Sequence, residues 1–191
     1  MRIVGGKHRG RRLAAPDGCG VRPTADRVRE AVFNLLAHGS PAVDLIDAAV
    51  VDVFAGSGAL GLEALSRGAA RAAFIDSDQH AINAVRRNAV TLGEEDNVTL
   101  LCLDASRLPP SPHVAGCPAR VALFDPPYGS GLAAPALAGL AGKGWIVKGS
   151  VAVVEVGVRE PLEAPPAFQV LDERTYGAAR VVFLRLGDEA P

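Results

Sequence analysis

Asp125-Pro126-Pro127-Tyr128 closes the strand expected at 120–124 and sets an acid, two imino acids and an aromatic ring in direct succession. Two prolines remove two backbone donors and stiffen the chain, so the Asp125 carboxylate and the Pro126 carbonyl become fixed acceptors beside the Tyr128 ring. A planar amine suits such a set. The exocyclic amine of a nucleobase is a weak nucleophile because its lone pair is delocalised into the ring. Two acceptors holding its hydrogens favour a pyramidal nitrogen and aim the lone pair at a methyl group. A base stacked on Tyr128 gains roughly 1–3 kcal/mol, which helps offset the few kcal/mol needed to take it out of its own stack. A Pro-Pro turn with a half-buried tyrosine would give the same four letters, so the neighbouring residues have to decide.

Gly56-Ser57-Gly58-Ala59-Leu60-Gly61 is a GxGxxG pattern between the apolar run 50–54 and a helical pattern that starts at Ala59 and places Leu60, Ala64 and Leu65 on one side. Strand, glycine turn and helix together present free N–H groups at the carboxyl edge of a parallel sheet. Phosphate loops, dinucleotide folds and S-adenosylmethionine folds all use glycine this way. Asp76 lies 20 residues beyond Gly56, at the end of the apolar run 72–75, where a carboxylate accepts hydrogen bonds from ribose hydroxyls. NAD and S-adenosylmethionine fit it equally. Asp104 ends a further run, 98–103, and either reaches an adenine amino group or caps the turn that follows. The Asp-Pro-Pro-Tyr segment separates the cofactors, because a dinucleotide-dependent oxidoreductase has no evident use for it.

Alternating strands and helices must position these groups. Strands are expected at 50–54, 72–76, 98–103, 120–124 and 151–156, with a terminal pair at 168–171 and 181–186 joined through Tyr176-Gly177. Helices are expected at 78–92, with Ala81, Ile82, Val85 and Ala89 as the apolar stripe, and at 132–140. Upstream, Thr24 is a candidate N-cap for an amphipathic helix carrying Val28, Ala31, Val32, Leu35 and Leu36, which Gly39 and Pro41 end; its other face offers Arg22, Arg27, Arg29 and Glu30. Gly5-Gly6 and Arg9-Gly10 read as turns of a small hairpin with Ile3, Val4 and Leu13 as its apolar part.

The net charge of −1 hides an asymmetry: residues 1–30 hold eight Lys or Arg against three Asp or Glu, a net +5, which leaves −6 over the remainder. A basic lobe on an acidic body can hold a polyanion beside an active site without coating the protein in nucleic acid. Lys7, Arg9, Arg11, Arg12, Arg22 and Arg27 are the candidate residues for such a polyanion, the alternative being a solvated basic terminus. With 191 residues and 49% apolar composition the chain is expected to be one domain with a basic extension: 1–40 as hairpin and helix, 41–191 as the catalytic part. Cys19, Cys102 and Cys117 have no CxxC spacing and the four histidines are scattered, so neither disulfides nor a metal site is expected. No apolar run approaches the roughly 20 residues of a membrane span, and the N-terminus lacks the apolar core of a signal peptide, so a cytoplasmic protein without a membrane partner is expected.

The blocks RIVGGKHRGRRL, RPTADRVREAVFN, DVFAGSGALGLEALSRGA, FDPPY, the Gly144-Trp145 pair, VAVVE at 151–155 and a final Tyr-Gly before a strand occur in an order that closely resembles the RsmD-type enzymes within the class I methyltransferases. The resemblance spans almost the whole chain. It implies an α/β Rossmann-like fold: a seven-stranded, mainly parallel sheet with its last strand antiparallel and helices on both faces, plus the N-terminal hairpin and helix. It implies S-adenosylmethionine as cofactor and a guanine N2 of 16S ribosomal RNA, free or in an assembling small subunit, as target. Asp52, Gly56, Gly58 and Asp76 would then hold the methionine and ribose parts, Asp104 and Ala105 the adenine end, and Asp125, Pro126 and Tyr128 the base. His8 stands where family members often carry a larger aromatic. A monomer is expected, with direct methyl transfer and no covalent enzyme intermediate. A DNA adenine or protein glutamine methyltransferase would use a similar tetrapeptide and is the principal alternative; a non-catalytic RNA-binding protein would have little reason to keep the pocket.

Overall fold

Seven strands, β1 (Ala49–Val53), β2 (Arg71–Asp76), β3 (Val98–Cys102), β4 (Ala119–Phe124), β5 (Ile146–Gly157), β6 (Phe168–Tyr176) and β7 (Ala179–Leu186), form one sheet in the order β3-β2-β1-β4-β5-β7-β6. The structure, a computed structural model, describes residues 1–16, 25–112 and 117–187. The first five strands run parallel, and β7 is antiparallel to both β5 and β6. From β1 the chain proceeds outward through β2 and β3, then returns to β4 on the other side of β1. Connections therefore depart in opposite directions from β1 and β4, which opens a crevice above their carboxyl ends.

Both faces of the central strands are covered, which explains their continuous apolar runs. Val50, Phe74 and Leu123 face a core shared with Phe33, Leu36, Leu62, Leu65 and Val85, from α1 (Ala25–His38), α2 (Ala59–Ser66) and α3 (Gln79–Leu92). Their sequence neighbours Val51, Ile75 and Phe124 face a second core with Leu137 and Leu140 of α4 (Ala133–Gly142) and the fully buried Trp145. Among the described residues no helix is long and apolar enough to cross a membrane.

The N-terminal hairpin forms as expected. Arg2 and Arg12 make an antiparallel bridge, Ile3 N–H donates to the Arg11 carbonyl at 2.9 Å, and Gly10 N–H donates to the Ile3 carbonyl at 2.9 Å. Ile3 and Leu13 enter the same core as α1, α2 and α3, so the segment packs as part of the main body.

Four expectations shift. β1 stops at Val53 because Phe54 takes a left-handed φ of 62° and begins the glycine turn. β5 starts at Ile146, ahead of the expected 151: the polar Lys148-Gly149-Ser150 interruption is a register irregularity against β4, bridged by Ser150 Oγ, which donates to the Ala119 carbonyl and accepts from Val147 N–H. β6 runs on to Tyr176 through Asp172-Glu173-Arg174 as a polar edge strand. Arg29, placed on the solvent face of α1 by its period, is 4% exposed and pairs with Asp26 at 2.7 Å. The hairpin covers that face, and the fully buried Glu63 on α2 draws the guanidinium inward, Nε lying 3.7 Å from its carboxylate. Cys19, Arg22, Pro23 and the proposed N-cap Thr24 lie outside the described residues.

Candidate active site

A cleft of about 320 Å³ lies over the carboxyl ends of β1, β2, β3 and β4, lined by Phe54, Gly56, Asp76, Ser77, Asp104, Ala105, Asp125, Pro126, Pro127, Tyr128 and Leu132. Seven of the nine expected cofactor and base residues meet there; Asp52 and Gly58 are placed behind it. A larger hollow of about 510 Å³ between α1 and residues 42–46 contains none of these groups.

The floor of the cleft is the glycine turn. Gly56 has a φ of 53°, and a side chain there would meet no protein atom within 4 Å, so the position faces open cleft. Its N–H donates to Asp76 Oδ2 at 2.9 Å, while Asp76 Oδ1 accepts from Asp78 N–H at 2.9 Å. One carboxylate thus ties the turn to the end of β2, with acceptor capacity left for ribose hydroxyls. Gly61 serves packing instead: a Cβ there would lie 2.4 Å from the Phe74 ring, so glycine lets α2 lie close against the sheet.

Asp52 was expected to touch the cofactor, but it is 1% exposed and accepts from Gly61 N–H at 2.8 Å, so its place is beneath the turn that the cofactor would meet. Burial pushes its carboxyl well above the usual range, and the charges of Asp125 and Asp76 push the same way, against the Gly61 hydrogen bond and Arg29. A carboxyl whose folded pKa is raised loses stabilising effect as pH climbs above the ordinary carboxylate range. Asp52→Asn keeps an acceptor for Gly61 and carries no charge, so its stability relative to the parent should improve with rising pH. Asp52→Ala should be destabilised by about 1–3 kcal/mol near the ordinary carboxylate range, because the Gly61 N–H loses its partner, and that deficit should also narrow as pH rises. Denaturant unfolding across a pH series checks both, and an asparagine variant that loses ground as pH rises would contradict the assignment.

Asp104 caps the turn that follows it and also faces the cleft. Its Oδ1 accepts from Ser106 Oγ at 2.7 Å and Ser106 N–H at 2.9 Å, capping the short turn Ala105–Arg107, and it lines the cleft. Those Ser106 bonds hold its carboxyl below the ordinary range, so it is charged at neutral pH.

On the opposite wall Asp125 is exposed, Pro126 is buried and Tyr128 is 37% exposed. Tyr128 O–H donates to Glu155 Oε1 at 2.6 Å, and Gly129 N–H donates to Glu160 Oε2 at 2.8 Å. Hydrogen bonds from the Gly129 and Gly157 amides hold the Glu160 carboxyl below its ordinary range. Sequence reasoning missed Phe54, Ser77, Pro127 and Leu132 as lining, and Glu155 and Glu160 as supports. Glu155 ends the VAVVE block, but its link to Tyr128 rests on the pairing of β5 with β4, for which the sequence carries no local signal.

The basic residues divide into two groups. Lys7 Nζ lies 2.7 Å and His8 Nε2 2.6 Å from Glu94 Oε1, and Arg11 donates to the Thr91 carbonyl at 2.6 Å, so these side chains fasten the hairpin to the end of α3. Burial raises the Glu94 carboxyl, but hydrogen bonds from Lys7, Asn97 and His8 outweigh it and leave the group below its ordinary range. His8 is thereby turned onto Glu94. Arg9, Arg12 and Arg27 stand exposed.

A mainly parallel sheet ending in the antiparallel β7, with its crevice at the β1–β4 switch, is the class I methyltransferase fold. The model of the family described as Conserved hypothetical protein 95 matches residues 1–185, and the chain belongs to that family, the RsmD-type methyltransferases. It is 40% identical over 167 residues to ribosomal RNA small subunit methyltransferase D of Escherichia coli strain K12, covering 87% of this chain and 80% of that protein. Identity to the protein of the same name from Haemophilus influenzae is 34% over 182 residues, covering 93% and 89%. The solved structure of yhhF from Escherichia coli superposes with a TM-score of 0.81 at 32% identity, over 99% of each chain.

Proposed function

We propose that this methyltransferase moves a methyl group from S-adenosylmethionine to the exocyclic N2 amine of a guanine in small-subunit (16S) ribosomal RNA. The observation that carries the reading is a single cleft with a ribose-type carboxylate, Asp76, on the glycine-turn side and the Asp125–Tyr128 acceptor set on the other. The names of the relatives support ribosomal RNA as substrate.

Bound S-adenosylmethionine supplies an electrophilic methyl group. Asp76 accepts its ribose hydroxyls, Asp104 and Ala105 face its adenine, and Gly56, with Gly58 and Asp52 shaping the turn behind it, lets the backbone come close. The Asp125 carboxylate and the Pro126 carbonyl accept the amine hydrogens and Tyr128 stacks on the base. Catalysis then rests on orientation and on acceptors fixed before reaction, with the surplus proton passing to solvent or to Asp125. Incubation with labelled S-adenosylmethionine and small-subunit particles, naked ribosomal RNA or DNA in parallel tests the reading. Label in particles or ribosomal RNA is expected, and label in DNA alone would replace it with the adenine-N6 alternative.

The basic face supplies RNA affinity. Arg9, Arg12 and Arg27 are exposed, Arg22 extends the cluster in sequence, and Lys7 and Arg11 hold the hairpin in place while adding to its field. Neutralising Arg9 and Arg12 together should flatten the log–log salt dependence of RNA binding by roughly 0.7 to 0.9 per lost phosphate contact, with S-adenosylhomocysteine affinity unchanged. An unchanged slope would return both arginines to solvated surface charge.

A further inference from the structure

Within the turn bearing Tyr128, Ser130 N–H donates to the Pro127 carbonyl at 3.2 Å, a bond that fixes the backbone and does not reach the ring itself. Pro126 and Pro127 offer no N–H, and Gly129 and Gly131 both take left-handed φ values, 72° and 65°. Further support comes from the neighbouring strand. β4 and β5 run parallel with Phe124 opposite Val154, so Asp125, one residue past the end of β4, comes beside Glu155, which β5 still carries opposite Val181 of β7. Glu155 Oε1 accepts the Tyr128 hydroxyl at 2.6 Å, and Glu160 Oε2 accepts Gly129 N–H at 2.8 Å and Gly157 N–H at 3.2 Å. Arg180 of β7 in turn donates to the Glu160 main-chain oxygen at 2.6 Å. The ring is gripped at its hydroxyl tip, and the chain just behind it is gripped at Gly129.

A phenol hydrogen bond to a carboxylate is charge-assisted, short and stronger than a neutral one. Tyrosine turns about two side-chain bonds, so fixing Oη as well as Cα selects one ring orientation from those a 37% exposed side chain would otherwise sample. Preorganisation of this kind matters most where a partner arrives flat against the ring and must be held within a fraction of an ångström of a reacting atom.

We propose that Glu155 is the positioning residue of the base site, holding the Tyr128 ring as a preformed stacking platform beside Asp125. The proposal rests on the reading of Tyr128 as the base-stacking residue. Glu155 acts through Tyr128 and touches neither methyl donor nor amine. Its effect therefore falls on the turnover of bound RNA and leaves the remote phosphate contacts alone.

The test measures methyl transfer to small-subunit particles by the full chain carrying Tyr128→Ala, Tyr128→Phe, Glu155→Ala, Glu155→Gln, or Tyr128→Phe with Glu155→Ala. Tyr128→Phe and Glu155→Ala should each lower kcat about tenfold, with KM for the particle and S-adenosylhomocysteine affinity held. The double variant should be no worse than Glu155→Ala, because the same bond is lost once, and Glu155→Gln, which keeps an acceptor, should recover most of the rate. Tyr128→Ala should be slower than any of them. Additive losses in the double variant, or normal kcat in Tyr128→Phe, would overturn the role of Glu155 while leaving the stacking role of Tyr128 intact. Normal turnover by Tyr128→Ala would overturn both.

Discussion

Asp125→Ala is expected to lower kcat for methyl transfer about 100- to 1,000-fold at saturating substrates, the range seen when a preorganised polar contact to a reacting centre is removed. The side chain is exposed at the end of β4, carried by Phe124 in the core and followed by the buried Pro126, so the carboxylate is presented to the cleft by a rigid element. A second effect reaches the buried Asp52. The Asp125 charge lifts the pKa of the buried Asp52 carboxyl, and removing it relieves that repulsion. Single-turnover rates beside unfolding curves check the pair of effects. Asp125→Asn, which keeps one acceptor oxygen, should fall between parent and alanine variant. Normal turnover by Asp125→Ala would place the grip on the amine elsewhere.

Asp76→Ala should weaken S-adenosylhomocysteine binding about 100-fold or more, as expected for losing two hydrogen bonds to a charged group. The same carboxylate also accepts from Gly56 and Asp78 N–H groups, so its removal loosens the turn that receives the ligand. Asp76→Asn retains an acceptor for Gly56 and should lose less. Calorimetry with S-adenosylhomocysteine, and with NAD as comparator, gives the dissociation constants. Unchanged binding in Asp76→Ala, or tight NAD binding by the parent, would remove Asp76 from the ribose and reopen the choice of cofactor.

The sequence disclosed what local periodicity and backbone chemistry control. Val50-Val51, Phe74-Ile75 and Leu123-Phe124 each send one residue to each face, and a strand covered on both sides has to be apolar throughout. Asp78 was legible as the start of α3, since its carboxylate accepts from His80 N–H as an N-cap does. What escaped was set by partners far away in the chain. Arg29 reads as a surface residue until Glu63 of α2 and the hairpin close over it, and Lys7 and Arg11 read as free cations until Glu94 and the Thr91 carbonyl take them. Asp52 and Asp76 look alike as strand-borne acids beside a glycine motif. Only the packing of α2 shows that one serves Gly61 from below and the other faces the cleft. Glu155 could be read as an acid within the strand expected at 151–156, but its bond to Tyr128 depends on the register of β5 against β4, which no local pattern specifies.

Methyl transfer to guanine N2 is tested most directly by nucleoside analysis of ribosomal RNA recovered from small-subunit particles after incubation with the protein and S-adenosylmethionine. N2-methylguanosine should accumulate with the parent chain and fall to background with Asp125→Ala under the same conditions. Parent protein that binds S-adenosylhomocysteine yet leaves guanine unmodified, or that methylates adenine in DNA instead, would contradict it.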